Sequence, residues 1–303
     1  DVTPLLLDGL RRLEYRGYDS AGVALQTGSG QLERVRTVGK VAELARVLEQ
    51  SPVSGSTGIA HTRWATHGAP SEQNAHPHVC HEHVAVVHNG IIENHDELRS
   101  LQREAGYRFT SQTDTEVIVH QIHHYLDQGQ DLLAAVQSTV GDLEGAFALG
   151  VISREEPGRL VAARRGSPLV IGIADGERLI ASDVAALVSE TRNFIFLEDG
   201  DVADISHDSL TIYTPSGIVV ERPVKESMVT ADATDKGEDA HYMLKEIHEQ
   251  PRAIADTLEG RIGSNRVLEE AFGHGAGEIF DKVAGVHIIA CGTSYHAGMV
   301  GRY

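Results

Sequence analysis

The stretch around Gly58 to Asn94 brings together three kinds of chemical group. One apolar run, Thr57 to His61, breaks into Thr62-Arg63-Trp64-Ala65-Thr66-His67-Gly68; a second, Val84 to Val87, ends in His88-Asn89-Gly90. Arg63 offers a planar fork of donors suited to a carboxylate, and Thr66 and His67 add a hydroxyl and an imidazole. The Asn89 amide and the Gly90 N–H, on a tight turn after a buried strand, can aim two donors at one point, as a developing oxyanion requires. Taken singly, each has a plainer reading: Asn-Gly is a turn dipeptide and Arg63 a surface ion-pair partner. Together they describe a site that binds a carboxylate and polarises a carbonyl. A nucleophile is missing, because the only thiols, Cys80 and Cys291, neighbour this constellation in no recognisable motif.

The elements that must position these groups follow from length and periodicity. Both apolar runs are short and β-branched, which predicts strands with the polar residues at strand ends and on loops. Upstream, Thr3-Pro4 reads as a helix opening with a capping hydroxyl. Leu6, Leu10 and Leu13 follow at helical spacing to Gly17, then a strand over 21–25, a strand over 32–37 and a helix over 41–49. Asn94 and Glu97 form a candidate capping box for a helix to Glu104. Asp114 opens the next helix, where a cap is its plain role. From Leu143 to Arg222, seven short apolar runs punctuated by Gly, Asp and Ser predict a strand-rich half. With helices near 40–50, 95–104, 114–126 and 131–140, the pattern suits a layered α+β sandwich.

Beyond it, Glu226 to Asp239 is polar and charged, which makes 226–240 a linker between a domain over 1–225 and a segment over 241–303. His241 to Gln250 reads as a helix stopped by Pro251, and Val286 to Ala290 as a strand. That strand would feed Cys291-Gly292-Thr293-Ser294, a turn that can present hydroxyls and helix N–H groups to an anion, or be a plain strand-to-helix turn. The segment His76-Pro77-His78-Val79-Cys80-His81-Glu82-His83 invites a zinc reading. Its spacing fits no structural zinc pattern, however, and Pro77 interrupts one His pair.

Composition sets outer limits. At 303 residues there is room for more than one domain, and 26 Lys plus Arg against 44 Asp plus Glu leave a formal charge of −18. So acidic a chain argues against general nucleic-acid binding and suits a cytoplasmic enzyme. Two Cys make no disulfide framework, and no apolar run approaches the roughly 20 residues that span a bilayer.

Four blocks carry a family resemblance: Arg11-Arg12-Leu13-Glu14-Tyr15-Arg16-Gly17-Tyr18-Asp19-Ser20-Ala21-Gly22, His61 to Gly68, His88 to Asn94, and Thr113-Asp114-Thr115-Glu116. In this order they resemble the glutamine–fructose-6-phosphate aminotransferase (isomerizing) family, the glucosamine-6-phosphate synthases, along essentially the whole chain. The resemblance implies the four-layer αββα fold of the N-terminal-nucleophile hydrolases (class II glutamine amidotransferases), followed by the start of an α/β sugar-isomerase domain. It implies a catalytic Cys at the mature N-terminus, on a strand expected upstream of Asp1, so the chain by itself is expected to be inactive. It also implies that Asn89 and Gly90 form the oxyanion hole, and that Arg63, Thr66, His67 and Asp114 bind glutamine. In the same pattern Trp64 shields the ammonia route, and Gly292, Thr293 and Ser294 bind sugar phosphate. No metal or organic cofactor is implied; the substrates are glutamine and fructose 6-phosphate, and the assembly is a homodimer through the isomerase domain.

Two rival readings share parts of this pattern. A phosphoribosyl-pyrophosphate amidotransferase would use the same Asn-Gly and Asp logic, but the His241 to Gln250 helix and the Cys291 to Gly298 block argue against it. A sugar-phosphate-sensing regulatory module without catalysis would keep sugar-phosphate binding and have no glutamine turnover.

Overall fold

In the computed structural model, residues 1–64, 68–227, 239, 241–258, 262, 267–269 and 276–302 are described. The chain forms two compact units, Asp1–Asp235 and Lys236–Tyr303. The first opens with α1 (Thr3–Leu13), β1 (Ser20–Gln26), β2 (Leu32–Val38), α2 (Val41–Gln50) and β3 (Thr57–Arg63). β4 (His78–Cys80), β5 (Val84–Ile92), α3 (His95–Glu104), α4 (Thr115–Asp127) and α5 (Leu132–Asp142) follow. Then come β6 (Gly145–Ser153), β7 (Leu160–Arg165), β8 (Val170–Ala174), β9 (Glu177–Ala181) and β10 (Asn193–Phe196). β11 (Val202–Ile205), β12 (Leu210–Tyr213), β13 (Val219–Val220) and β14 (Val224–Glu226) complete it.

The strands form a seven-stranded sheet, β13-β12-β11-β7-β6-β5-β4, and two smaller ones, β2-β1-β3 and β14-β10-β8-β9. The hydrophobic clusters show how these stack. Leu10, Val23, Val41, Leu44 and Leu48 pack α1 and α2 on the outside of the three-stranded sheet. Ala24 and Ile59 on its inner face meet Ala85 and Ile152 of the seven-stranded sheet. Ile171 and Ile195 of the four-stranded sheet meet Ala148, Ala162 and Ala203 of the same large sheet. Behind it, Val86, Phe147, Leu149 and Val151 pack against Val117, Ile118, Ile122 and Val136 of α4 and α5. The order is helices, sheet, sheet, helices: the αββα sandwich. Covered on both sides, β1 is buried along all seven residues, which explains its unbroken small and apolar run.

Three local expectations are corrected. Thr3 does not cap α1: Val2 is the N-cap, and the Thr3 hydroxyl instead donates to the Val53 carbonyl (3.0 Å) and the Asp1 carboxylate (2.8 Å). The Asn94 side chain caps nothing either, because its amide is spent on the link from α5 to β6: Nδ2 donates to the Asp142 carbonyl (2.8 Å) and Oδ1 accepts from Glu144 N–H (3.0 Å). Asn89-Gly90 is no turn, since β5 continues through both to Ile92, pairing Asn89 with Ala148 and Gly90 with Phe147. Gly90 fits there with φ +142°, and a Cβ would lie 2.0 Å from the Ala146 carbonyl oxygen, so the close approach of β6 demands glycine.

In the second unit, α6 (Tyr242–Leu258) runs through Pro251 instead of stopping at it. The helix-forming Ala253, Ile254 and Ala255 carry it past the one missing N–H. α7 (Ala276–Phe280) and α8 (Gly292–Gly301) follow. Val286 to Ala290 is no strand: it pairs with no described residue, and Ile289 is 95% exposed. An apolar run becomes a strand only when another backbone takes its N–H and C=O groups.

Candidate functional site

A cavity of about 650 Å³ lies inside the first unit, between the two sheet layers and under α1. Two of its walls are strand edges. β3 is the last strand of the three-stranded sheet and β9 the last of the four-stranded one, and every residue of both lines the cavity. Among the described residues neither strand has a second hydrogen-bonded neighbour. β5 and β6 form the floor through Val87 to Gly90 and Ala148 to Gly150. At one end sit His61, Arg63, His76, Asn89, Gly90, Asp114 and Thr115; Asp1, Glu177, Arg178 and His207 also line the cavity.

Arg63 ends β3 and is 4% exposed. Its guanidinium donates to the Gly68 carbonyl (3.3 Å) and stands 3.8 Å from the Asp19 carboxylate. Burial lowers its pKa, and the charges of Asp19 and Asp114 oppose that. An arginine stays cationic under such a shift, so Arg63 puts a fixed positive charge on the cavity wall beside Asn89 and Asp114. The Gly68 carbonyl is placed by its own loop: Gly68 has φ +78°, and a Cβ would come 2.6 Å from Asn74 Nδ2. Asn74 in turn donates to the Ala69 carbonyl (2.9 Å) and accepts from Gln112 N–H (2.9 Å), tying this loop to the one before α4.

Asp114 is 4% exposed at the head of α4, yet its carboxylate is not a helix cap. Oδ2 accepts from the buried Ile92 N–H of β5 at 2.9 Å and lies 4.0 Å from His88 Nδ1. Arg63 and Asp114 therefore line one cavity with opposite charges, each fixed by a backbone contact. Beside them the Thr115 hydroxyl bonds His76 Nε2 (2.8 Å) and His88 Nδ1 (3.0 Å). One hydroxyl carries one proton, so at most one of the two rings accepts from it and at least one donates to it. Desolvation pushes His61 down to about 3, helped by His88 and Arg63, and holds His76 well below its ordinary range. These two rings are neutral at pH 7, so the positive charge beside them is that of Arg63.

Most of the expected site residues thus meet. Arg63, Trp64, Asn89, Gly90 and Asp114 all line the cavity, and Trp64 is 63% exposed with its ring edge-on to Tyr18 at 6.1 Å, so it is no core aromatic. Thr66 and His67 lie outside the described residues. Gly292, Thr293 and Ser294 open α8 of the second unit, with Gly292 at φ +58°. Sequence reasoning missed the supporting network of Thr115, Asn74 and Gln112. It noticed His76 and His78 only as metal candidates, whereas the structure spends them on Thr115 and Thr113, at 2.8 and 3.1 Å. Cys80 does not line the cavity, and burial pushes its thiol up to about 12, so it offers no thiolate there.

Residues 61–189 match the family of the glutamine amidotransferase domain. Over all 303 residues the chain is 59% identical to a glutamine–fructose-6-phosphate aminotransferase (isomerizing) of Shewanella oneidensis and 57% identical to one of Pseudomonas aeruginosa. It spans about half the length of these relatives, 50% in each case. The fold is similar to that of a glutamine phosphoribosylpyrophosphate amidotransferase from B. subtilis, with a TM-score of 0.62 and 25% identity over 71% of this chain and 47% of that one. The resemblance read from the four sequence blocks therefore extends over the full chain, and the fold is that of the N-terminal-nucleophile glutamine amidotransferases. Among the described residues no helix is long and apolar enough to cross a membrane.

Proposed function

We propose that this chain supplies the glutaminase half of an amidotransferase that makes glucosamine 6-phosphate and glutamate from fructose 6-phosphate and glutamine. The observation that carries the reading is the convergence of Arg63, Asp114, Asn89 and Gly90 on one cavity. A free amino acid presents an α-carboxylate and an α-ammonium; Arg63 takes the first and Asp114 the second. The side-chain carboxamide then points along the cavity to Asn89 and Gly90. The cavity between β3 and β9 has the form of a strand site, with a strand on each side that, among the described residues, has no second hydrogen-bonded neighbour. An extended segment preceding Asp1 would pair with both edges, join the two small sheets into one, and bring an N-terminal Cys to the polar end.

The thiol of that Cys, with its own α-amino group as base, attacks the carboxamide carbon. The Asn89 amide and Gly90 N–H stabilise the tetrahedral oxyanion, which collapses to a γ-glutamyl thioester and ammonia. Water then releases glutamate, and the ammonia passes under Trp64 to the ketose phosphate. The domain division is 1–225 for the glutaminase, 226–240 for the linker and 241–303 for the first part of a cytoplasmic sugar-isomerase domain. In that part Gly292, Thr293 and Ser294 contact the phosphate, and two copies of the isomerase domain form a dimer. The relatives at 59% and 57% identity, both glutamine–fructose-6-phosphate aminotransferases, support fructose 6-phosphate over phosphoribosyl pyrophosphate as the acceptor.

The test is to treat the protein that carries residues ahead of Asp1 with an electrophilic glutamine analogue and to map the modified peptide by mass spectrometry. Labelling at a Cys N-terminal to Asp1, protected by glutamine, is the expected result. Labelling at Cys80, or none, would replace this reading with the sugar-phosphate-sensing module, which binds fructose 6-phosphate without turning over glutamine.

A further inference from the structure

The segment from His76 to His83 divides in two in the folded chain. His76 lines the cavity and bonds Thr115, and His78 bonds Thr113, whereas Cys80 packs against α4 and the His81 ring meets His123 of that helix. Cys80 ends β4, His81 begins the hairpin turn to β5, and His123 lies in the last half of α4. One ligating atom from each of Cys80, His81 and His123 lies within 4.8 Å of the other two. The rings of His81 and His123 are 4.7 Å apart, and His83 stands 5.7 Å from His123.

The surrounding geometry is that of a held site. Tyr107 bonds His123 Nδ1 through its hydroxyl at 2.9 Å, which fixes the ring and engages one of its two nitrogens. His120, one turn back on the same helix face, places Nδ1 3.2 Å from Cys80 Sγ. His81 and Glu82 both have left-handed backbones, φ +50° and +59°, in a tight turn closed by His83 N–H to the Cys80 carbonyl (2.9 Å). Such a turn favours Asn-Gly, so a His-Glu pair there is conformationally costly. The cost brings the His81 imidazole onto His123. Cys80 is buried, His123 half-buried and His81 exposed, so the cluster is open on one side for entry.

We propose that Cys80, His81 and His123 bind one late first-row divalent cation, with zinc as the natural occupant, and so staple the β4–β5 hairpin to α4. A thiolate with two imidazoles is a borderline-soft donor set that suits zinc, cobalt or nickel over magnesium or calcium. The fourth position faces solvent and takes water. Binding displaces the Cys80 proton to solvent: one cation enters, one S–H bond is lost, and one proton leaves. The site is separate from the cavity, since none of the three residues lines it. It is nonetheless mechanically connected, because the same strand β5 continues to Asn89 and Gly90 and the same helix begins beside Asp114.

Cobalt(II) is the probe, added to metal-stripped full-length protein and followed by absorption. The expected result is saturation at one equivalent, with a thiolate charge-transfer band and tetrahedral d–d bands, displaced by zinc, and with a rise in melting temperature. The spectrum should persist in Cys291→Ser and vanish in Cys80→Ser. Because a buried Cys80 variant can fold poorly, His81→Gly gives an independent arm: it relaxes the turn, so the metal-free protein should melt no lower while cobalt binding is lost or sharply weakened. Tyr107→Phe, which removes only the partner of His123, should weaken binding on the order of 10- to 100-fold. A cobalt spectrum that survives in Cys80→Ser but vanishes in Cys291→Ser, cobalt affinity unaltered by His81→Gly, or no thiolate band at all, would overturn the proposal.

Discussion

Replacing Asp114 separates a glutamine-binding role from a purely architectural one. The carboxylate accepts from the buried Ile92 N–H at 2.9 Å and lines the cavity opposite Arg63. Asp114→Asn keeps an acceptor for Ile92 and removes the charge. Asp114→Ala removes both. Leaving a buried amide without a partner costs about 1–3 kcal/mol, which for a domain of this size lowers the melting temperature by roughly 2–12 °C. The Asn variant should melt near the parent. A hydrogen bond to a charged group contributes about 1.5–3 kcal/mol, so losing the contact to the α-ammonium should raise the glutamine KM roughly 10- to 150-fold in the Asn variant. Steady-state glutaminase kinetics and thermal melts on the full-length protein give both numbers. An Asn variant with unchanged KM and the melting temperature of the Ala variant would refute the reasoning and leave Asp114 as a strand anchor alone.

Three further perturbations follow from the same geometry. Gly90→Ala forces a Cβ to within 2.0 Å of the Ala146 carbonyl at φ +142°, and backbone strain plus overpacking should cost about 2–6 kcal/mol, read as a drop in the denaturant midpoint. Thr115→Val keeps the shape but strips the hydroxyl shared by His76 and His88; about 1–3 kcal/mol should be lost for each ring left unpartnered, with glutaminase activity falling as the α4 start loosens. Stability should also fall as the pH drops from about 6.5 toward 3. His61 and His76 are held neutral by burial among His78, His88 and Arg63, so the unfolded chain binds more protons in that window and acid favours it. Denaturant melts at pH 7 and pH 5 measure the slope, which should shrink in His76→Gln; an unchanged slope would show that this ring takes up its proton in the folded state.

The fold was legible in the sequence wherever one pattern served one environment. β1 is buried on both faces and reads as an unbroken small and apolar run, while α2 shows a single buried stripe of Val41, Leu44 and Leu48. Capping residues misled because a polar side chain near a helix start has several possible partners and only tertiary structure chooses among them. Asp114, Asn94 and Thr3 all stand at helix starts, and all three spend their oxygens elsewhere: on β5, on the Glu144 N–H just before β6 and on the Val53 carbonyl. Thr115 and Asn74 were invisible for the same reason, since their partners lie 27 to 39 residues away in the chain. Val286 to Ala290 failed in the opposite sense: its composition fits a strand, but no described backbone pairs with it.

The sequence reads Asn89-Gly90 as a turn, whereas both lie inside β5, and the difference bears on how the proposed donor pair would be built. A two-residue turn would hold both donors on a loop whose position depends on its own few bonds. Inside β5 the pair is held by continuous pairing with β6 on one side, from Val84 opposite Ser153 to Ile92 opposite Gly145. The glycine is required by the approach of that neighbour, whose Ala146 carbonyl leaves no room for a side chain. Its φ of +142° lies outside the ordinary strand region, so the peptide units around Gly90 are turned away from regular extended geometry. A strand that departs from regular geometry at one residue can turn a peptide group toward a cavity while the rest of the ladder keeps it rigid. That is the arrangement an oxyanion donor needs, because its value depends on being fixed before charge develops. The prediction for Gly90→Ala therefore carries a second readout. If the strand relaxes around the new methyl group, stability will recover at low temperature while glutaminase turnover stays low, since the donors will have moved even though the ladder has reformed.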